Sequence, residues 1–334
     1  MSGLTAVDID ALAGLEIFAG VDTVSVSALA AELEPLRAAP GDVLMRQGER
    51  ALSFLIIASG HAEVRHTDIR GTIVVADVAP GLIVGEIALL RHAPRTATVI
   101  AEDELCGYLG YEAAFTALLD IPDIAGKLVR TARQRLAAFI TPVPVSLRDG
   151  SELMLRPILP GDGLRVITGR VWFSPDTLYR RFLSARTPTE ALLTYLSEVD
   201  YVDHFVWVVT DGFHGPVVAD ARFVRDQDDR ATAEIAFTVA DAYQNRGIGK
   251  LLLGALAAAA RVDGVARFHA NVLATNWAAR TLLDRLDVAW IREEPGVLTT
   301  TFGVPDPREI PTELTATQLQ RIQGMADQVI HAFH

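Results

Sequence analysis

Two short stretches carry residue types whose spacing suits the capture of a phosphate. In the first, Gly85-Glu-Ile-Ala-Leu-Leu-Arg-His-Ala-Pro-Arg-Thr-Ala-Thr98, a glycine and an acid open one turn of apolar helix, and an arginine and hydroxyls follow. An anionic diester held at a helix N-terminus needs backbone amides, a cation and hydroxyl donors, and a ribose hydroxyl needs a carboxylate to accept its hydrogen bond. In the second, Asp241-Ala-Tyr-Gln-Asn-Arg-Gly-Ile-Gly-Lys250, two glycines let a backbone approach a pyrophosphate and a long helix follows to direct its amides there. The strand before that loop alternates Glu234, Ala236 and Thr238 on one face with Ile235, Phe237 and Val239 on the other. A carboxylate at Glu234 can deprotonate an amine directly or through one water, and the Val239 amide can polarise a carbonyl.

The elements that must position these groups read as two modules. From Val43 to Tyr108 short β-rich runs are separated by turn residues, which predicts a small antiparallel barrel or sandwich, with helices at Val26 to Leu36 and Ile124 to Ile140. The stretch TPVPVS follows, where Pro142 and Pro144 favour extended backbone and mark a boundary. Beyond it the pattern mixes α and β. SELMLRPI, FVWVVTDG, PVVADARFVR, ATAEIAFTVA, FHANVL and LTTTFGV read as strands. Helices are predicted at Ser174 to Leu183, Glu190 to Ser197, Gly249 to Val262 and from an Asn276 cap to Leu286. Leu314, Leu319, Ile322, Met325, Val329, Ile330 and Phe333 make the last stretch an amphipathic helix that packs on something. The fold class is therefore α+β in two domains, divided as 1–143, a linker at 144–150, a domain at 151–303 and a helical extension at 304–334.

Composition narrows the function. With 334 residues, half of them apolar, the chain can fill two cores, and a net charge of −12 argues against a nucleic-acid partner. The 30 basic residues are all arginine except Lys127 and Lys250. One cysteine, Cys106, permits no internal disulfide, and its neighbours put it on a strand as a buried thiol. No apolar run reaches the roughly 18 residues of a membrane span and the N-terminus has no signal-peptide pattern, so a cytoplasmic protein without a membrane partner is expected.

The first motif, with PGDVLMRQGE and Gly60, closely resembles the phosphate-binding cassette of cyclic nucleotide-binding domains. That resemblance covers roughly residues 10 to 140. It implies that Glu86 holds the ribose 2′-hydroxyl and Arg95 the cyclic phosphate, with Gly85, Ile87, Ala88 and Thr96 supplying amide or hydroxyl contacts, and that cAMP is the ligand. The ordinary alternative is an ion pair between Glu86 and Arg95 across a surface turn. The second motif resembles the acyl-CoA signature of the Gcn5-related N-acetyltransferase superfamily. It implies acetyl-CoA bound by Val239, Gln244, Asn245, Arg246, Gly247, Ile248, Gly249, Lys250 and Asn276, with Glu234 as the catalytic base. The ordinary alternatives are a solvent-facing strand acid at Glu234 and a helix cap at Asn276, and the cap is compatible with a contact to the pantetheine arm. Many members place a tyrosine in the following helix as general acid, and Leu282-Leu283-Asp284-Arg285 has none.

LRPILPGD and Phe173-Ser-Pro-Asp-Thr-Leu-Tyr-Arg-Arg-Phe182 add a narrower resemblance to bacterial protein lysine acetyltransferases. The whole chain resembles the mycobacterial cAMP-regulated members of that family. The resemblance implies cAMP as allosteric effector, acetyl-CoA as co-substrate, no metal, and protein substrates such as acetyl-CoA synthetase and other adenylate-forming ligases. Alternatives are a small-amine acetyltransferase and a sensor that binds both ligands without turnover. Coupling between the sites requires an element with two states, and the segment 174–203 beside the acceptor cleft is the candidate.

Overall fold

The computed structural model describes residues 7–68, 71–160, 162, 173–184, 189, 196, 199–213 and 215–333. It divides into two compact units, Met1–Phe139 and Ile140–Ala332. The first is a β-sandwich with helices, the second a mixed sheet with helices, so the α+β two-domain expectation holds.

The first unit opens with helices α1 (Ile9–Ala13) and α2 (Thr23–Ala31), capped by Asp8 and Asp22. Its sheets run β1 (Leu33–Ala38), β8 (Leu105–Gly110), β3 (Phe54–Ser59), β6 (Ile83–Val84) and β2 (Val43–Met45), β7 (Thr98–Ala101), β4 (Ala62–Asp68), β5 (Gly71–Val78), in spatial order. β3 reads FLII without alternation because both its faces are covered: Phe54 and Ile56 join a core with Leu12, Val26 and Leu118, while Leu55 and Ile57 join one with Met45, Val84 and Val99. Between β6 and β7 lies α3 (Glu86–Leu90), and α4 (Glu112–Asp120) and α5 (Ile124–Ala138) close the unit. The helix expected over Val26 to Leu36 ends at Ala31, and its second half is β1. Pro35 cannot donate inside a helix, whereas here it pairs with Tyr108 on β8. Cys106 is on β8 as expected but is half-buried.

In the second unit eight strands form one sheet, in the order β15 (Ile291–Glu294), β16 (Val297–Gly303), β14 (Arg267–Leu273), β13 (Thr232–Val239), β12 (Val217–Arg225), β11 (His204–Thr210), β10 (Glu152–Pro157), β9 (Val143–Ser146). Every pair is antiparallel except β13 with β14, which is parallel and limited to 232–234 against 267–269. The stretch read as a linker is thus mostly edge strand and turn. Pro144 is tolerated there because its strand has a neighbour on one side only.

On the sheet lie α6 (Pro175–Phe182), α7 (Ile248–Val262), α8 (Trp277–Leu283) and α9 (Ala316–Ile330). α7 is buried all round from Leu251 to Ala260, because β11 and β12 cover one side and α9 another. That packing accounts for its apolar run, and among the described residues no helix is long and apolar enough to cross a membrane. The tail helix α9 buries Leu319, Ile322, Met325, Val329 and Ile330 and starts at a capping box of Thr315 and Gln318. The amide of Gln318 also donates to the Pro144 carbonyl at 2.7 Å, tying the tail to β9. The helix expected at 190–197 lies outside the described residues, apart from Leu196.

Candidate functional site

In the first unit, Gly85 takes φ +89° and starts α3. Any other residue is strained at that φ, and its Cβ, 2.6 Å from Arg95 Nη1 and 2.8 Å from Met45 Cε, would displace the ends of both side chains. Glu86, Ile87, Ala88 and Arg95 are all buried, and Thr96 is half-buried. The Arg95 guanidinium donates to the carbonyls of Gly85 at 2.9 Å and Ser53 at 2.6 Å, and to Ser53 Oγ at 3.2 Å. All three acceptors are neutral. Among the described residues no carboxylate lies within ion-pair distance of it, and loss of solvent pulls its pKa down against the more distant pull of Glu86 and Glu49.

Glu86 therefore does not make the surface pair with Arg95. Its Oε1 accepts instead from Arg135 Nη1 at 2.6 Å, with the carboxylate 1% exposed. Arg135, near the end of α5, also donates to the Ile83 carbonyl. The partners are 49 residues apart, so nothing local to either one singles out this pairing.

In the second unit, Glu234, Val239, Gln244, Asn245, Gly247, Ile248, Gly249, Lys250 and Asn276 all line one cleft of about 970 Å³. The cleft opens because β13 and β14 pair only as far as Glu234 and His269 and then part. Beyond that point β13 has one neighbour. Ala240 N donates to Val218 on β12 at 2.9 Å, so by strand alternation the N–H and C=O of Val239 face the gap. The carbonyl accepts from Gln244 Nε2 at 3.1 Å. Asn245 at φ +61° and Gly247 at φ +94° turn the chain into α7, whose N-terminus has no side-chain cap. Asn276 caps α8 through Ala279 N at 3.2 Å while facing the same cleft.

Glu234 is exposed, and among the described residues it has no hydrogen-bond or ion-pair partner. The face it shares with Ala236 and Thr238 is less bland than the strand pattern implied. Cross-strand neighbours on β12 add Arg222 opposite Ala236 and Asp220 opposite Thr238, paired at 3.0 Å. Arg181 of α6 lies close enough for its charge to feel Glu234 and Asp220. Burial first, and then Arg222, push its pKa down to about 10.

Two more features were not legible locally. Asp241 accepts from Ser174 N at 2.8 Å, Ser174 Oγ at 2.7 Å and Thr177 Oγ1 at 3.1 Å, docking the start of α6 on the loop before α7. Burial pushes its carboxyl up, but these hydrogen bonds outweigh it and leave the group below its usual range. Arg246, expected to face an anion, does not line the cleft. It binds Asp149 at 2.7 Å and Ser151 Oγ at 2.6 Å, and its hydrogen bond together with that of Ser151 holds Asp149 far below the usual carboxylate range.

Comparison with known proteins agrees with both halves. The model of the cyclic nucleotide-binding domain matches residues 35–120, and that of the acetyltransferase (GNAT) family matches residues 172–287. Acetyltransferase Pat of Mycolicibacterium smegmatis is 53% identical over 313 residues, 94% of this chain and 94% of that protein. The chain belongs to the Pat family of acetyltransferases. Within this Pat family, the solved structure of the cAMP-binding acyltransferase from Mycobacterium smegmatis is 48% identical, with 100% of this chain and 99% of that chain covered and a TM-score of 0.51. Its E234A mutant covers 97% of each chain with a TM-score of 0.52. The first unit is also similar to the regulatory subunit of cAMP-dependent protein kinase from Mycosarcoma maydis, 42% identical over 99 residues, which are 28% of this chain and 18% of that protein. As a Pat acetyltransferase the chain carries a cyclic nucleotide-binding domain and a GNAT catalytic domain.

Proposed function

We propose that this Pat-family enzyme is a cytoplasmic, cAMP-activated protein lysine acetyltransferase that uses acetyl-CoA, with acetyl-CoA synthetase and related adenylate-forming ligases among its substrates. The observation that carries the regulatory half is Arg95, a buried cation whose hydrogen-bond acceptors among the described residues are all neutral. A buried charge is retained where something pairs with it, and a cyclic phosphate supplies that anion. Glu86, on the same helical turn, then accepts from the ribose 2′-hydroxyl, and Gly85, Ile87, Ala88 and Thr96 surround the phosphate.

The catalytic half rests on the parted strands. Acetyl-CoA in the cleft has its pyrophosphate at the uncapped α7 N-terminus, around Asn245, Gly247, Ile248 and Gly249, and its pantetheine beside Val239 and Asn276. A substrate lysine must be neutral to attack the thioester carbonyl. The free carboxylate of Glu234 takes that proton, directly or through a water, as the C–N bond forms. The Val239 N–H, aimed into the gap, stabilises the oxyanion. Collapse expels CoA as a thiolate, and with no tyrosine at 282–285 the proton it takes up comes from solvent.

The test is mass-spectrometric detection of acetyl-lysine on purified acetyl-CoA synthetase, with and without cAMP, alongside a panel of free amines. Acetylation should rise with cAMP in the wild type, fall at least a hundredfold in Glu234→Gln, and lose its cAMP dependence in Arg95→Lys. Turnover of free amines with no acetylated protein would overturn the substrate assignment.

A further inference from the structure

Arg246 is committed to Asp149 and Ser151, yet three other cations reach the same end of α7 from three separate elements. Arg148, in the turn between β9 and β10, lays its side chain across Gly247, whose Cβ position would be 3.8 Å from Arg148 Nε. Lys250 stands in the first turn of α7, and Arg285 follows α8. Both line the cleft together with Gly247 and Gly249. Among the described residues neither Lys250 nor Arg285 has a carboxylate within ion-pair distance, and Arg148 has only Glu313, 3.4 Å away with both side chains more than half exposed. The three charges repel one another. Desolvation, then Arg285 and then Arg148 lower the Lys250 pKa, and Glu313 opposes them. An arrangement that gathers like charges beside a helix N-terminus is relieved by an anion.

One anion is already assigned there, the pyrophosphate, and the α7 amides and glycines suffice to hold it. The cations that radiate from the same turn leave room for a second. CoA carries one: its adenosine ribose bears a phosphate at the 3′ position, a monoester with close to two negative charges at neutral pH, on the same sugar whose 5′ carbon joins the pyrophosphate. We propose that Arg148, Lys250 and Arg285 form a subsite for this 3′-phosphate, so that the enzyme distinguishes CoA thioesters from those of 3′-dephospho-CoA. The inference rests on the acetyl-CoA reading and extends it to the distal end of the cofactor.

The experiment measures Kd by calorimetry, and KM in the acetylation assay, for acetyl-CoA and acetyl-3′-dephospho-CoA. It uses the full chain as wild type, Arg148→Gln, Arg285→Gln and the double variant. The wild type should favour acetyl-CoA at least tenfold. Each single variant should lose three- to tenfold on acetyl-CoA while its affinity for the dephospho compound stays put, and the double variant should bind the two within about twofold of each other. A wild type indifferent to the 3′-phosphate overturns the proposal, as do variants that weaken both compounds equally, which would put the cations on the pyrophosphate. Circular dichroism that matches wild type excludes misfolding as the cause of a loss. If the wild type binds neither compound, the acetyl-CoA reading itself fails.

Discussion

Replacing Arg135 with methionine removes the cation from Glu86 while keeping most of the volume. The carboxylate is 1% exposed and its Oε1 sits 2.6 Å from the guanidinium, so its partner's loss strands a charge that water does not reach. Breaking a buried pair from one side costs about 3–5 kcal/mol. Arg95 still acts on Glu86 from further away, which places the expected cost at the lower end, about 3 kcal/mol. At roughly 3–4 °C per kcal/mol for a unit of this size, the transition of the first unit should fall by about 10 °C. Scanning calorimetry measures it. All four tryptophans, at 172, 207, 277 and 290, belong to the second unit, so the transition that tryptophan fluorescence does not follow is the one to read. Adding Glu86→Gln to Arg135→Met removes the stranded charge and should recover at least about 2 kcal/mol, a coupling only a direct pair produces. A shift under 2 °C in Arg135→Met, or a double variant less stable than Arg135→Met alone, would refute the reasoning.

Gly85→Ala puts a Cβ 2.6 Å from Arg95 Nη1 at a backbone φ of +89°, and should weaken cAMP binding at least thirtyfold by calorimetry without changing acetyl-CoA affinity. Asp241→Ala deletes three hydrogen bonds to Ser174 and Thr177, so amide exchange in α6 should accelerate at least tenfold by mass spectrometry while exchange in β11 and β12 stays as it is. His204, buried beside Arg222, has its pKa pushed down to about 4 by desolvation first and then by that arginine. The unfolded chain therefore binds a proton that the folded one refuses between about 4 and 6.5; stability from this group is complete above that window and is lost as pH falls through it. Urea unfolding of wild type and His204→Phe should differ in slope against pH within that window and nowhere else.

What the sequence reveals is what lies close together along the chain. Gly85 and Gly247 announce positive φ beside helix starts, Ser174 and Asn276 announce caps, and the strand alternation around Glu234 suffices to orient its carboxylate. The partnerships that complete the sites are remote. Glu86 with Arg135, Asp149 with Arg246 and Ser174 with Asp241 join residues separated by 49, 97 and 67 positions, and an arginine that looks free to meet a ligand is locally identical to one already bound. The same cause explains β1, whose strand character depends on β8, and β15, whose four residues Ile-Arg-Glu-Glu make no alternating pattern and pair only with β16.

The early parting of β13 from β14 has a further consequence for selectivity. A ladder that stops leaves main-chain donors and acceptors in the cleft at the spacing of a missing strand, and the molecule that suits them is an extended chain with amides of its own. In the proposed reading pantetheine is that chain, and the arm of the co-substrate is met much as one strand meets another. Recognition of that kind is written in the register of two strands and is indifferent to most side chains along them. In that reading the acyl group at the tip meets side chains and can be re-specified by single mutations, whereas the pantetheine arm meets a gap in a sheet and answers to the backbone on either side of it.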